Sequence, residues 1–149
     1  MFSSSLYDET TFYDQFTRDL LHCSSEVVID CPFITSERTR TLYPIFERLI
    51  NRGIRVYVFT RDPKEHLESM EDQSESEIRR FEQLGVQVFL CLGNHHRKLA
   101  ILDRQILWEG SLNILSQTYS REIMRRIDGQ DYAIEMFNFL RLNRFIGGL

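Results

Sequence analysis

The sequence predicts an α/β domain in which a mixed central β-sheet carries helices on both faces. An amphipathic helix, a glycine and an apolar strand follow one another twice, as LINRGIRVYVF and FEQLGVQVFL. This order is typical of βαβ units, whose right-handed crossovers produce a parallel sheet. Further along, two apolar runs are separated only by Asp103 and Arg104, which predicts an antiparallel hairpin. The two patterns together predict a mixed sheet.

The first part of the chain supplies a helix, a strand and a second helix. Apolar residues recur every four positions, which predicts a helix over residues 8–22, and the β-branched run at 27–29 predicts a buried strand. A second helical stripe covers residues 42–50 and ends before Gly53. Pro44 lies inside that stripe. Since an interior proline costs about 3 kcal/mol, we expect Pro44 in the first turn or at a kink.

The remaining elements follow from the same periodicities. The β-rich run at 54–60 predicts a strand, and the acidic stretch at 62–77 predicts a loop or a solvated helix. Next come a short helix that Gly85 closes, and a third strand. After the hairpin, residues 114–126 look helical and residues 132–137 look like a final strand.

Length and composition favour one globular domain over residues 1–149. The chain is 42% apolar and 27% charged, which excludes disorder, and it is long enough to bury a core. No apolar run approaches the roughly 20 residues of a membrane helix, and the N-terminus lacks the pattern of a signal peptide. The short ending FIGGL leads us to expect a fragment of a longer chain as an alternative.

Charge and cysteine content restrict the partners and the compartment. The net charge is −4, so any site for an anion must be a local patch. Three cysteines without CxxC spacing predict a reduced, cytoplasmic protein with neither a disulfide framework nor a zinc site.

The residues that suggest chemistry lie between 96 and 113. On a strand, His96 and Lys98 would point to the same face, where an imidazole beside an ammonium forms a site for an anion. Gly110 permits close backbone approach, and Ser111 and Asn113 add neutral hydrogen-bond donors. Phosphate fits this set of groups. The neighbouring His95 would point to the opposite face, so the two histidines do not suggest a shared metal ion.

The spacing H-x-K-x4-D-x6-G-S-x-N, which includes Asp103, resembles the signature of the phospholipase D superfamily. It fits residues 96–113 without a gap. Six specified residue types match by chance with a frequency on the order of 10⁻⁸ per start position. The βαβαβ order that precedes the motif agrees with the phospholipase D-like fold.

The resemblance implies a phosphodiesterase that needs no metal or other cofactor. Members with a single motif dimerise, so His96 of one subunit would attack phosphorus and His96 of the other would protonate the leaving oxygen. Lys98 and Asn113 would bind the non-bridging oxygens, with Gly110 and Ser111 beside them. Asp103 is expected to support the site.

Two further points come from the comparison with this family's pattern. In single-motif nucleases an acid on the last strand often orients the histidine, and here Asp131 is the first candidate and Glu135 the second. The sequence departs from the pattern at His95, where an apolar residue is common, and at Arg97, where a small one is common. Arg97 should face away from His96.

The preferred interpretation is a nuclease that acts as a homodimer on nucleic acid, with DNA preferred over RNA and no membrane association. A DNA-binding or docking module of a helicase or restriction system is one alternative, and a phospholipid phosphodiesterase is another. Three arginines at helical spacing could follow a nucleic-acid backbone, or could form a solvated face. These are Arg121, Arg125 and Arg126.

Overall fold

A computed structural model describes residues 1–65, 68–117 and 119–147 of the chain. The described strands form one seven-stranded sheet in the order β1-β7-β6-β5-β2-β3-β4. The elements are β1 (Ser3–Asp8), α1 (Phe12–Leu21), β2 (Glu26–Asp30), α2 (Ser36–Asn51), β3 (Arg55–Arg61), α3 (Glu68–Leu84), β4 (Gln87–Cys91), β5 (Leu99–Leu102), β6 (Ile106–Gly110), β7 (Ile123–Asp128) and α4 (Gln130–Phe139), with 3-10 turns at Pro63–Glu65 and Leu142–Arg144.

The parallel half of the sheet is the predicted one. Strands β2, β3 and β4 run parallel, and helices α2 and α3 form the crossovers between them. Gly53 and Gly85 follow these two helices with φ values of 81° and 105°. Because glycine adopts positive φ without steric cost, each of these residues ends its helix and lets the chain turn into the next strand.

The other half of the sheet is antiparallel. Strand β5 pairs with β2 on one side and with β6 on the other, and β7 joins β6 to the edge strand β1. The predicted hairpin is β5–β6, and its turn contains Asp103 and Arg104 at positive φ. The mixed sheet is therefore confirmed, and its antiparallel half begins where β5 is hydrogen-bonded to the buried strand β2.

Helices cover both faces, as predicted. Helices α1, α2 and α3 pack on one face around Trp108, Phe46 and Phe81, which are fully buried. The other face is covered by α4 and the residues that follow it, with Phe137 and Ile146 packed onto Ile101. Since each face buries its own apolar cluster, every central strand has apolar residues on both sides.

Two expectations about local structure are wrong, and of the two positions expected for Pro44 the first turn is excluded. Residues 114–126 are not helical, because the chain is irregular up to Glu122 and then pairs with β6 and β1 as strand β7. Residues 132–137 form part of α4 and no strand; Ala133 and Phe137, four positions apart, are the residues this helix buries. Pro44 lies in the interior of α2, on its exposed side, where water can pair with the carbonyl that the ring leaves free.

A buried carboxylate on α1 joins this helix to the sheet. Asp19 is 5% exposed and accepts a hydrogen bond of 3.0 Å from the indole N–H of Trp108. It also accepts two bonds of 2.8 Å from the Nε and Nη2 of Arg126. Two strands and one helix therefore meet at a single charged group whose partners are all in place.

We expect Arg126→Ala to lower the free energy of unfolding by about 3 kcal/mol, because it leaves the Asp19 carboxylate buried without its cation. Arg125→Ala is the matched control. Arg125 is the next residue of β7, is exposed and bonds only to Ser4 Oγ among the contacts described for it, so its loss should cost about 0.5 kcal/mol or less. Urea denaturation measures both, and equal midpoints for the two variants would show that the Asp19–Arg126 pair does not stabilise the fold.

Candidate active site

Four residues of the motif, His96, Lys98, Gly110 and Ser111, lie at one end of the sheet, where β5 begins, β6 ends and β7 begins. The backbone N–H of Gly110 donates to the carbonyl of Lys98 at 3.3 Å, and that of Ser111 donates to the carbonyl of Ile123 at 3.0 Å. These bonds link three strand ends within a few residues of His96. This end of the sheet is therefore built by the β5–β6 hairpin and by β7 together.

His96 and Lys98 lie in the loop before β5, since the strand predicted to carry them begins only at Leu99. The imidazole of His96 is exposed and lies edge-on to Phe33, with ring centroids 6.0 Å apart. The ammonium of Lys98 donates to the carbonyl of His96 at 3.1 Å. The cation of Lys98 thus lies against the backbone of the residue that carries the accessible imidazole.

Gly110 allows the ends of β6 and β7 to approach closely. A Cβ at this position would lie 2.1 Å from the carbonyl oxygen of Ile123, which no side chain can tolerate. Ser111 Oγ accepts the backbone N–H of Ile123 at 3.0 Å, so this hydroxyl also ties the two strands together. Asn113 Oδ1 is buried and has no hydrogen-bond partner in the described part of the chain. Such an acceptor is available to a donor brought by a ligand.

Glu122, immediately before β7, is an acidic residue of the site that sequence reasoning missed. Hydrogen bonds from the Ser120 and Ser111 hydroxyls, together with the charge of Lys98, hold the pKa of Glu122 below its ordinary value, against a small effect of burial. The carboxylate is therefore ionised near the cation of the site. It places a negative charge near Lys98, immediately before the last strand.

A family profile described as "Cardiolipin synthase, PLD-like domain" matches residues 16–139, which include the whole of the site. The chain belongs to this family. The match confirms the resemblance that the spacing between His96 and Asn113 suggested. No curated protein matches the sequence.

Solved structures confirm the PLD-like fold. NucT from Helicobacter pylori superposes with a TM-score of 0.71 at 18% identity, over 95% of this chain and 94% of that one. Nuc from Salmonella typhimurium, a phospholipase D family member, gives 0.76 at 13% identity, over 95% and 93%. A phosphatidylserine synthase from Haemophilus influenzae gives 0.70 at 18%, but this chain covers only 38% of it.

Asp103 does not lie with the other motif residues. It occupies the β5–β6 turn, at the opposite end of a strand of four residues, which is about 13 Å long. Its carboxylate accepts the backbone N–H groups at the start of β2, at 2.8 to 3.0 Å. Asp103 therefore fixes the hairpin against β2, and any support that it gives to the site acts through that hairpin. The N–H donors belong to Ser24, Ser25 and Glu26.

The candidates for the orienting acid are also corrected. Asp131 and Glu135 are exposed residues of α4 and do not lie on a strand. Helix α4 follows the end of β7 that pairs with Ile106, whereas the site is at the Gly110 end of β6. The last strand begins at Ile123, and the acid next to its start is Glu122, near the charge of Lys98.

The three arginines do not form one face. Arg121 precedes β7 and is exposed, and Arg125 is exposed on the strand. Arg126 points to the other side, into its pair with Asp19, so the expectation that it contacts nucleic acid is wrong. Adjacent residues of a strand face opposite sides, and the helical spacing therefore has no meaning here.

The described residues contain neither a metal-binding cluster nor a membrane-spanning helix. Among the described residues, no three or more His, Cys, Asp or Glu side chains are grouped so that they could bind a metal ion. In the same parts of the chain, no helix combines the length and apolar character that crossing a membrane requires.

The carboxylate of Asp103 makes the stability of the fold depend on pH. Burial acts to raise the pKa of Asp103, but the N–H donors of Ser24, Glu26 and Ser25 outweigh it and hold the pKa below the ordinary 3.8. A lowered pKa in the folded state stabilises the fold above the pKa of the unfolded chain, and this stabilisation is lost as the pH falls through the folded value. We expect Asp103→Asn to cost about 2 kcal/mol at neutral pH.

Chemical denaturation of wild type and Asp103→Asn, at neutral pH and at successively lower pH below 3.8, measures this effect. The difference between the two proteins should shrink as the wild-type carboxylate takes up its proton. A difference that is independent of pH would show that the charge of Asp103 is not what holds the turn.

Proposed function

We propose that the chain is a metal-independent phosphodiesterase, and specifically a nuclease, in which His96 is the nucleophile. The observation that carries the proposal is that exposed His96, Lys98, Gly110 and Ser111 lie together at one end of a PLD-like sheet. Fold alone does not define function, and these side chains supply the chemistry.

The proposed reaction has two steps. A ring nitrogen of His96 forms a bond to phosphorus while the bond from phosphorus to the leaving oxygen breaks, and a second histidine gives that oxygen a proton. Water then attacks phosphorus and loses its proton to the second histidine, and the bond between phosphorus and His96 breaks. Lys98 stabilises the charge that develops on the non-bridging oxygens.

The second histidine defines the assembly. The motif occurs once in the chain, so the proposed acid is His96 of another copy, and the active form is a homodimer. His96 and Lys98 lie at the end of the sheet where β5 begins and β6 ends, and not on the two faces that the helices cover. Two copies can therefore approach through this edge without disturbing either apolar cluster.

Nucleic acid is the proposed substrate because exposed cations flank the site in a chain whose net charge is −4. Arg97 follows His96 directly, and Arg121 precedes Glu122; both are exposed. A polyanion can bind such a local patch even though the protein as a whole is acidic. The chain also covers nearly the whole of NucT and Nuc, but little more than a third of the phosphatidylserine synthase.

A phospholipid is the second candidate substrate, because the matching family is described by cardiolipin synthase and the fold is shared with the phosphatidylserine synthase. The phosphodiester chemistry would be the same. Incubation with vesicles of an anionic phospholipid, followed by analysis of the released headgroup, separates this candidate from the nuclease. Binding of DNA without cleavage of any substrate would favour the docking module.

We expect wild-type protein to cleave DNA or RNA in excess EDTA, and His96→Ala to lose on the order of 10³-fold or more of that activity. The assay compares single- and double-stranded substrates of both polymers. His22→Ala is the control, since His22 follows α1 and its ring contacts only the Arg18 carbonyl among the described contacts. Activity that EDTA removes, or that survives in His96→Ala, would overturn the proposal.

Mixing experiments test the shared site. If each site needs His96 from both subunits, exchange with excess His96→Ala should reduce activity as the square of the wild-type fraction. If each subunit acts alone, activity should fall only in proportion to that fraction. Sedimentation of the same mixtures checks that dimers form, and a protein that is active as a monomer would contradict the assembly.

A further inference from the structure

The loop that carries His96 connects β4 to β5 and is held at its first end by a carboxylate. Gly93 and Asn94 have φ values of 88° and 61°, so the chain turns sharply there. Glu65 accepts the backbone N–H groups of these two residues at 3.0 and 3.2 Å. Arg61 in turn pairs with Glu65 at 3.2 Å. The turn is therefore fixed relative to the end of β3.

A second contact holds the loop on its buried side. The Nε2 of His95 forms a short hydrogen bond with Oδ1 of Asp30. The two side chains are 10% and 3% exposed, so the pair is nearly closed to solvent. Asp30 is the last residue of β2 and lies opposite Leu99, the first residue of β5. His95 thus ties the loop to the central strand of the sheet.

These contacts leave little freedom to His96. Its backbone is joined on one side to His95, which Asp30 holds, and three residues further on the chain reaches Leu99, which is part of the sheet. Neighbouring side chains in an extended segment point to opposite sides. The buried position of His95 therefore goes with the exposed position of His96.

We propose that Asp30 and His95 form a buried ion pair that positions His96, and that loss of this ion pair sets the alkaline limit of the reaction. The inference rests on the proposed role of His96 as the nucleophile. Asp30 and His95 touch no reacting atom, so both are positioning residues. Neither belongs to the sequence motif, in which the position of His95 is commonly apolar.

The surroundings of the pair keep His95 charged. The hydrogen bond to Asp30 has the largest effect on the pKa of His95, and the contact with Cys91 of β4 has the next largest. Together they raise this pKa to about 9, although burial acts to lower it. Burial raises the pKa of Asp30, while the hydrogen bond and charge of His95 and the charge of Arg97 oppose that rise. The groups that act on the pair are thus Cys91 and Arg97.

The sign of the pH effect follows from these directions. A histidine whose pKa is raised in the folded state stabilises the fold fully below its ordinary 6.5, and this stabilisation is lost as the pH rises through about 9. Deprotonation then leaves the buried Asp30 carboxylate without a cation, which is unfavourable enough to displace the loop. A small displacement of the nucleophile lowers kcat more than it changes substrate binding.

The test measures kcat and KM from pH 6 to above 9 in wild type, His95→Gln, His95→Lys and Asp30→Asn, with His22→Gln as the control. We expect His95→Gln and Asp30→Asn to lower kcat about 10- to 100-fold with little change in KM. Lysine keeps a cation beside Asp30 and has an ordinary pKa of about 10.4. His95→Lys should therefore retain activity and move the alkaline limb of kcat upward.

A readout that does not depend on activity accompanies the kinetics. NMR titration of the histidine rings, with His95 assigned by the His95→Gln variant, should show His95 losing its proton near pH 9. Amide exchange at Gly93 and Asn94 should become faster in His95→Gln, because the loop has lost one of its two anchors.

The outcomes separate this inference from the proposed function. An active enzyme in which His95→Gln keeps the wild-type kcat and the wild-type alkaline limb, or in which His95 titrates near 6.5, would overturn the inference and leave the proposed function intact. A wild-type protein that cleaves no phosphodiester would overturn the proposed function and, with it, the catalytic part of the inference. The NMR and exchange data would then still decide whether the ion pair holds the loop.

Discussion

The antiparallel pairing of β5 with β2 is the constraint on which the site depends. It joins the parallel half of the sheet to the hairpin, and a carboxylate closes each end of it. Asp103, just beyond β5, binds the backbone at the start of β2, and Asp30, at the end of β2, binds His95 just before β5. Each strand therefore contributes a charged group that holds the end of the other. The register of β5 is fixed at both ends, and with it the place where the loop bearing His96 leaves the sheet.

Ion pairs inside the fold withdraw two of the 18 Lys and Arg residues from the surface. Arg126 is committed to Asp19, and Arg104 donates at 2.8 Å to the fully buried Glu26. These guanidinium groups neutralise carboxylates that would otherwise be buried without a partner. The cations near His96 form a local positive patch, and this patch can attract a phosphate although the molecule as a whole is negative.

The sequence predicted the parts of the molecule that depend on local pattern. The two helix-glycine-strand units and the hairpin at Asp103 were confirmed, because apolar periodicity and turn residues determine them directly. The spacing from His96 to Asn113 likewise indicated the family, which the family profile confirmed. The parts that failed depend on tertiary pairing. Strand β7 has no clean alternation, since Arg126 faces inward to Asp19, and its residues were therefore assigned to a helix.

That single error in β7 also displaced the acidic residue. With the last strand assigned to 132–137, Asp131 was the natural candidate, whereas the actual strand begins beside Glu122. Edge strand β1 could not be predicted for a different reason, since its residues are mostly polar and exposed and it forms only because β7 offers a partner. A residue's role in this site thus follows from its register in the sheet, which sequence spacing reveals only inside the motif.

The tandem histidines show how neighbouring residues of one type acquire different chemistry. The side chain of His95 lies on the buried side of the loop, where Asp30 stabilises its charged form and where it is nearly closed to solvent. His96 lies above, open to solvent and beside Lys98. A nucleophile must have an unprotonated ring nitrogen at the moment of attack, whereas a clamp must keep its charge. The fold satisfies both demands by the alternation of an extended chain, which buries one imidazole against a carboxylate and exposes the next.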